Sequence, residues 1–303
     1  MRRHLRSLVC VFLLAGCGAS SIDGSPDSSL VIKGSDTEVQ LVSNLAEAFA
    51  KAESSADVSV TGGGSATGIA SLLNGEIDIA NSSRPMSEGE LAQAKGRGMD
   101  VQEFILARDG LSVIVHPGNP LSSLTMDQIG AIYAGTVGNW KEVGGPDAPI
   151  VLYGRQSTSG TFGFFRDTVV KADYSRQMRQ MEGSQAIVDG VRADAYGIGY
   201  VGVGYVKDES GGARTDIKIL PVASAEGAAA VSPLDVEAVL RGEYPIFRPI
   251  FQYLPSAPAA GSLAERFLRF ESSDEGQAIV EAAGFYRVTA ADQAKNDAFL
   301  RSL

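Results

Sequence analysis

The chain has 303 residues, of which 44% are hydrophobic and 20% charged, an ordinary balance for a folded globular body. Its formal charge is −10, with 26 basic against 36 acidic residues, which argues against a nucleic-acid partner because such proteins usually carry a basic face. Its two cysteines, Cys10 and Cys17, both fall near the start, so the body has none for a disulfide or a thiolate metal site.

Arg2, Arg3 and Arg6 precede the apolar run Leu8-Val9-Cys10-Val11-Phe12-Leu13-Leu14. That run is short of the roughly 20 residues a membrane-spanning helix needs and suits a secretory signal. It ends in Leu14-Ala15-Gly16-Cys17, which resembles a bacterial lipobox, where cleavage precedes the cysteine and its sulfur takes a diacylglycerol. The expectation is a signal peptide at 1–16 and a lipidated tether at 17–29, small and polar with no hydrophobic period. Loss of the three arginines takes the 26 basic residues to 23 and makes the mature chain more acidic. The expected location is the periplasm or the outer face of the cell membrane, anchored through Cys17.

Leu30-Val31-Ile32 reads as a strand, followed by a helical stripe of Leu41, Val42, Leu45, Ala46 and Phe49. Val58 to Thr61 alternates as a strand, Ile69, Leu72 and Leu73 mark a second helix stopped by Asn74-Gly75, and Ile77 to Ala80 is a third strand. Ser87 with Glu90 forms a capping box for a helix ending near Gly96 or Gly98. Leu111 to Val115 is a strand broken by His116-Pro117, and Thr125 with Gln128 caps a helix to about Ala134. Ile150 to Tyr153 is a strand leading into Gly154-Arg155, and Thr161 opens a helix. Ser232-Pro233 is a helix start, Ile246 to Leu254 a strand interrupted by Pro249, and Ser272 with Glu275 a further capping box before a C-cap at Gly284. Strands alternating with helices at these intervals indicate an α/β fold, and about 275 residues hold two domains.

Three segments share one design of strand, small-residue loop and helix: Gly34-Ser35-Asp36-Thr37, Gly62 to Gly68, and Ser157-Thr158-Ser159-Gly160-Thr161. A helix start leaves N–H groups unpaired at its partly positive end, and glycines admit a ligand close to the backbone. One such loop alone is usually only an N-cap. Three of them, with Arg155 before one and Arg84 just after the third strand, point to a shared anion, because a guanidinium fork matches two oxygens of a phosphate.

These segments resemble the phosphate-binding protein of bacterial phosphate ABC transporters. The similarity is carried by IKGSDTEVQLVSNLAEAF (32–49), VTGGGSATGIASLLNGEIDIANSSRPMSEGEL (60–91), LARDGLSVIVHPGNPLSSLTMDQIGAIYAGTVGNWKEVGG (106–145), GRQSTSGTFGFF (154–165), YGIGYVGVGY (196–205) and SSDEGQAIVEAAGF (272–285). It implies a two-lobed type II periplasmic-binding-protein fold with the ligand in the cleft. Lobe one would comprise 30–108 and 247–303, lobe two 109–246, with crossings near Arg108-Asp109 and Pro245 to Phe251. The phosphate-binding positions it implies are Ser35, Thr37, Ser65, Ser83, Arg84, Arg155, Ser159, Gly160 and Thr161; Asp36, where the family's first loop commonly has a neutral residue, is added to them as a departure of this chain. The family often has Ser-Gly-Thr-Gly where this chain has Ser65-Ala66-Thr67-Gly68, and some members carry Asp where Ser83 stands. Asp36 is then the candidate acceptor of the phosphate proton, with a helix cap as its other reading. The implied partners are inorganic phosphate, an ABC permease and, through the lipid, a membrane; a monomer without cofactor or metal is expected.

Other readings draw less from the residues. Gly197-Ile198-Gly199-Tyr200-Val201-Gly202 matches the dinucleotide pattern GxGxxG, but it reads as a strand itself rather than a turn before a helix. A hydrolase would depend on His116, the only histidine outside the signal, with no nucleophile elbow, P-loop or metal-ligand spacing. Another tetrahedral oxyanion, sulfate or molybdate, remains the nearest alternative ligand, and an extracytoplasmic phosphate sensor the nearest alternative role.

Overall fold

The computed structural model describes residues 29–208 and 211–303, so the expectations on the signal peptide and on Cys17 lie outside the described residues. Strand Ser29–Gly34 pairs in parallel with Asp57–Thr61 on one side and Ile79–Ser82 on the other. Parallel neighbours need a crossover, and here helices Val39–Ala52 and Ser65–Leu73 supply it. The first helix buries the predicted stripe of Leu41, Val42, Leu45, Ala46 and Phe49, and the Phe49 ring meets Phe267 edge-on at 5.3 Å.

Strand Gln102–Val115 is far longer than the expected Leu111 to Val115. Strand Phe247–Leu254 lies antiparallel along it, in a register that sets Arg248 opposite Asp109 and Leu254 opposite Gln102. Pro249 does not interrupt this strand. The missing N–H is absorbed by a bulge between Ile250 and Phe251, the kind of irregularity at which a sheet tolerates proline. Beyond Leu111 the long strand pairs with Gly197–Gly202, which pairs in turn with Val151–Arg155, so one nine-stranded sheet runs through both lobes.

Each lobe has its own core. Leu30, Ile32, Leu45, Phe104, Phe267 and Val280 pack in one; Val113, Ile129, Tyr133, Phe165, Ile187 and Tyr200 pack in the other. The GxGxxG segment is a wholly buried strand, as its apolar residues predict.

Both early capping boxes form, Ser87 with Glu90 and Thr125 with Gln128. Several helix and strand starts differ from expectation. Ser273, not Ser272, caps helix Asp274–Ala282, because the preceding helix runs through Ser272. Asp235 caps the helix expected to begin at Ser232-Pro233. Ser159 caps a helix that starts at Gly160 rather than Thr161. The third strand begins at Ile79, two residues late, after Asp78 has tied its carboxylate to Val31 N–H.

Candidate oxyanion-binding site

Side-chain hydroxyls from both lobes converge where the long strands cross. Ser35 Oγ donates to Ser83 Oγ at 3.0 Å, Ser83 N–H donates to Ser65 Oγ at 3.1 Å, and the Ser65 and Ser83 hydroxyls are 3.4 Å apart. Thr161 of the other lobe lies 3.3 Å from Ser83 Oγ and 2.8 Å from Thr37 Oγ1. All five residues are buried. A hydroxyl is donor or acceptor as its rotor requires, so this cluster can turn its hydrogens toward an anion without net charge.

Backbones approach closely around it. Ala66 N–H donates to Thr158 O across the cleft at 3.0 Å. Gly64, at φ 96°, has no side chain where a Cβ would stand 2.7 Å from Thr158 O. A Cβ on Gly160 would be driven into Ser65 Oγ and within 2.8 Å of Ser83 Oγ. Glycine at these two positions lets the lobes meet.

Arg155 is almost fully buried at the end of its strand. Its N–H donates to Tyr200 OH at 3.2 Å, and Tyr200 is fixed by stacking on Phe165 at 4.0 Å and by Tyr174 OH at 3.1 Å. Its guanidinium donates to Ser184 Oγ at 3.2 Å and pairs with Asp36 Oδ2 from the opposite lobe. Asp36 Oδ1 accepts from Gly63 N–H at 2.8 Å. Asp36 is therefore not the cap of the helix that follows; that position is held by Glu38, which makes no capping hydrogen bond.

The remaining expected residues play separate parts. Ser159 Oγ accepts from Phe162 N–H at 3.4 Å as a cap. The Arg84 guanidinium is held bidentate by Glu90 at 2.7 and 2.8 Å and also reaches Pro85 O, so it is not brought onto the hydroxyl cluster. His116 is a strand-end residue whose Nδ1 accepts from Gly118 N–H.

Sequence reasoning missed Arg248 and Asp109. Arg248 donates from Nε and Nη2 to Asp109 Oδ2 at 3.0 and 2.8 Å, to Ser83 O at 2.9 Å and to Thr161 Oγ1 at 3.0 Å. Asp109 Oδ1 accepts from Val203 N–H at 3.0 Å. The available signal was a charged residue inside each of two apolar strands, which demands a partner.

Two buried acids lie behind this layer. Burial pushes the Glu38 carboxyl well above the ordinary carboxylate range; Ser35 and Arg248 oppose the shift, and Glu271 and Asp109 add to it. Neither Glu38 oxygen has a hydrogen-bond partner that meets normal geometry, and the neighbouring Ser35 hydroxyl donates to Ser83. Burial pushes Glu271 up to about 8; its Oε1 accepts from Gln252 Nε2 at 3.1 Å. Among the described residues no acidic, histidine or cysteine cluster of metal-binding type occurs, and no helix is long and apolar enough to cross a membrane.

Residues 19–275 match the family model described as the PBP superfamily domain. The phosphate-binding protein PstS of Pseudomonas aeruginosa is 30% identical, over 90% of this chain and 91% of that one. Protein SphX of Synechococcus elongatus is 31% identical, over 80% and 73%. Among solved structures, a protein of Clostridium perfringens crystallised with bound phosphate matches at a TM-score of 0.76 and 30% identity, covering 86% of this chain and 100% of that one. An ABC-type phosphate transport receptor of Vibrio cholerae matches at a TM-score of 0.67 and 25% identity, covering 86% and 100%.

Proposed function

The chain belongs to the PBP superfamily and, within it, to the family of phosphate-binding proteins of ABC transporters, and we propose that it captures inorganic phosphate outside the cytoplasm and hands it to a membrane permease. The observation that carries this reading is the convergence of Ser35, Thr37, Ser65, Ser83 and Thr161, with Arg248 donating to Thr161 and Arg155 tied to the first loop through Asp36. Taking an anion out of water is costly unless its oxygens are fully hydrogen-bonded. Rotatable hydroxyls supply many donors, and the two guanidinium groups, each already facing an aspartate, supply a limited positive field.

The protein works by binding, without a chemical step. Phosphate meets the first-lobe hydroxyls of Ser35, Thr37, Ser65 and Ser83, and closure brings Arg155 and the Ser159-Gly160-Thr161 turn onto it. The moving bodies in this scheme are 30–108 with 247–303, and 109–246. The difference between open and closed states is what a permease would recognise. The mature chain acts as a monomer, held to a membrane by a lipid on Cys17.

Calorimetric titration of the mature chain with phosphate, sulfate and molybdate tests the ligand. Saturable phosphate binding at least about 100-fold tighter than the others is expected, about 2.7 kcal/mol of preference. Tighter sulfate or molybdate binding would replace the ligand, and no binding of any of the three would overturn the reading. Membrane fractionation of Cys17→Ser tests the anchor: the variant should move to the soluble fraction.

A further inference from the structure

Glu38 is fully buried directly behind the binding layer, and phosphate capture as described leaves it without a task. The charged groups that face it are Arg248 on the return strand, Asp109 on the long strand, and Glu271 on helix Leu263–Ser272. Arg248 is already committed to Asp109, so an ionised Glu38 would have no counter-ion of its own and a second carboxylate nearby. Both its oxygens are unpartnered, and the Ser35 hydroxyl lies beside it, with its own hydrogen aimed away at Ser83 Oγ. Ser35 Oγ thus keeps lone pairs for a donor on its other side.

Resting on the phosphate-capture reading, we propose that Glu38 is kept as a neutral acid whose O–H donates to Ser35 Oγ, which compels the Ser35 hydroxyl to donate into the cleft and makes it an obligate donor to a bound oxyanion. Glu38 is a positioning residue: it acts on the anion through Ser35. If Glu38 loses its proton, the carboxylate accepts the Ser35 hydrogen, and the serine turns a lone pair toward the anion. One donor is lost and one repulsion is gained. The upward push on the Glu38 carboxyl has the matching sign, since burial favours its protonated form.

The test measures phosphate affinity of the mature protein from about pH 6 to about pH 9, for wild type, Glu38→Gln and Glu38→Ala. Phosphate itself gains charge across this range, but equally for each variant, so the ratio of affinities isolates the protein. A glutamine amide donates at every pH. Wild-type affinity should fall relative to Glu38→Gln by about tenfold toward the alkaline end. At neutral pH Glu38→Ala should bind about tenfold more weakly than wild type, and glutamine should restore most of that loss. The wild-type minus Glu38→Gln infrared difference spectrum should retain a protonated-carboxyl carbonyl band at neutral pH, the contribution of Glu271 being common to both proteins and cancelling. Parallel pH profiles for wild type and Glu38→Gln, or the absence of that band, would overturn the proposal even if Glu38→Ala fails to fold. A wild type that binds no phosphate at any pH is a different failure, that of the capture reading itself.

Discussion

Asp36 and Arg155 belong to opposite lobes and are ion-paired across the cleft, with the second carboxylate oxygen of Asp36 tied to the Gly63 N–H. One residue thereby links the first loop, the glycine-rich loop and the guanidinium of the other lobe. The pairing also tempers the positive charge on Arg155, and it holds the carboxylate between the glycine-rich loop and that guanidinium.

That placement bears on selectivity. Phosphate at neutral pH carries a proton that a carboxylate can accept, whereas sulfate offers only a lone pair and is repelled. Asp36→Asn keeps the size and an acceptor for Gly63 but removes the charge. Its phosphate-over-sulfate preference should shrink by at least about tenfold, mainly through tighter sulfate binding. Competitive titration of both anions checks this; unchanged affinities would reduce Asp36 to a structural latch.

Arg155 should contribute to affinity directly. Arg155→Ala removes a charge-assisted partner and should weaken phosphate binding by at least about 2 kcal/mol. Arg155→Lys should recover little, because one ammonium does not reproduce a planar fork that reaches Asp36 and Ser184 together. Equal affinity in calorimetry for wild type and Arg155→Ala would take this residue out of the site.

Arg248→Ala should destabilise the fold as well as the site. It leaves Asp109 buried with its main partner gone, a loss of about 3 kcal/mol for a broken interior pair. The urea midpoint should fall accordingly. Adding Asp109→Asn should return part of the stability, because the stranded charge is then removed, while anion binding stays weak.

Glu271 sets a pH dependence of stability. In the unfolded chain its proton leaves near the ordinary 4.5, but in the folded chain it is held up to about 8. Between those values the folded state holds the extra proton, so stability is fully present below the lower value and declines as pH rises through the window. Glu271→Gln should match wild type near pH 5 and exceed it near pH 8, by at most about 4 kcal/mol. Denaturant titrations at the two pH values measure the difference; identical shifts would show that Glu271 ionises freely.

What the sequence made legible is what chain neighbours decide. The stripe from Leu41 to Phe49 repeats at helical spacing and is buried as predicted, and Ser87 with Glu90 is a cap that needs no tertiary partner. Arg155 and Ser159-Gly160-Thr161 were legible for the same reason, lying within seven consecutive residues between a strand end and a helix start. The fold class followed from the alternation of strand and helix. Arg248 and Asp109 were hidden because they are 139 positions apart and meet only through the register of two antiparallel strands. Pro249 misled for a related reason: its break in the ladder is local, and the bulge that absorbs it depends on the partner strand. For Asp36 the cap, its other reading beside that of proton acceptor, fails because the side chain is drawn to Arg155 of the other lobe and to Gly63 N–H.

The two strands that pass between the lobes are hydrogen-bonded neighbours, with Arg248 and Asp109 facing each other where they cross. A paired ribbon can bend and twist, but it resists sliding along its length, so the closure proposed above would be a rotation about these strands. The hydroxyl cluster lies next to these strands, since Arg248 itself touches Thr161. A short lever arm at the ion and long arms at the outer rims give mechanical advantage in one direction and amplification in the other. Under the closure proposed above, groups near Arg248 would move least and the surfaces farthest from it would sweep the widest arc.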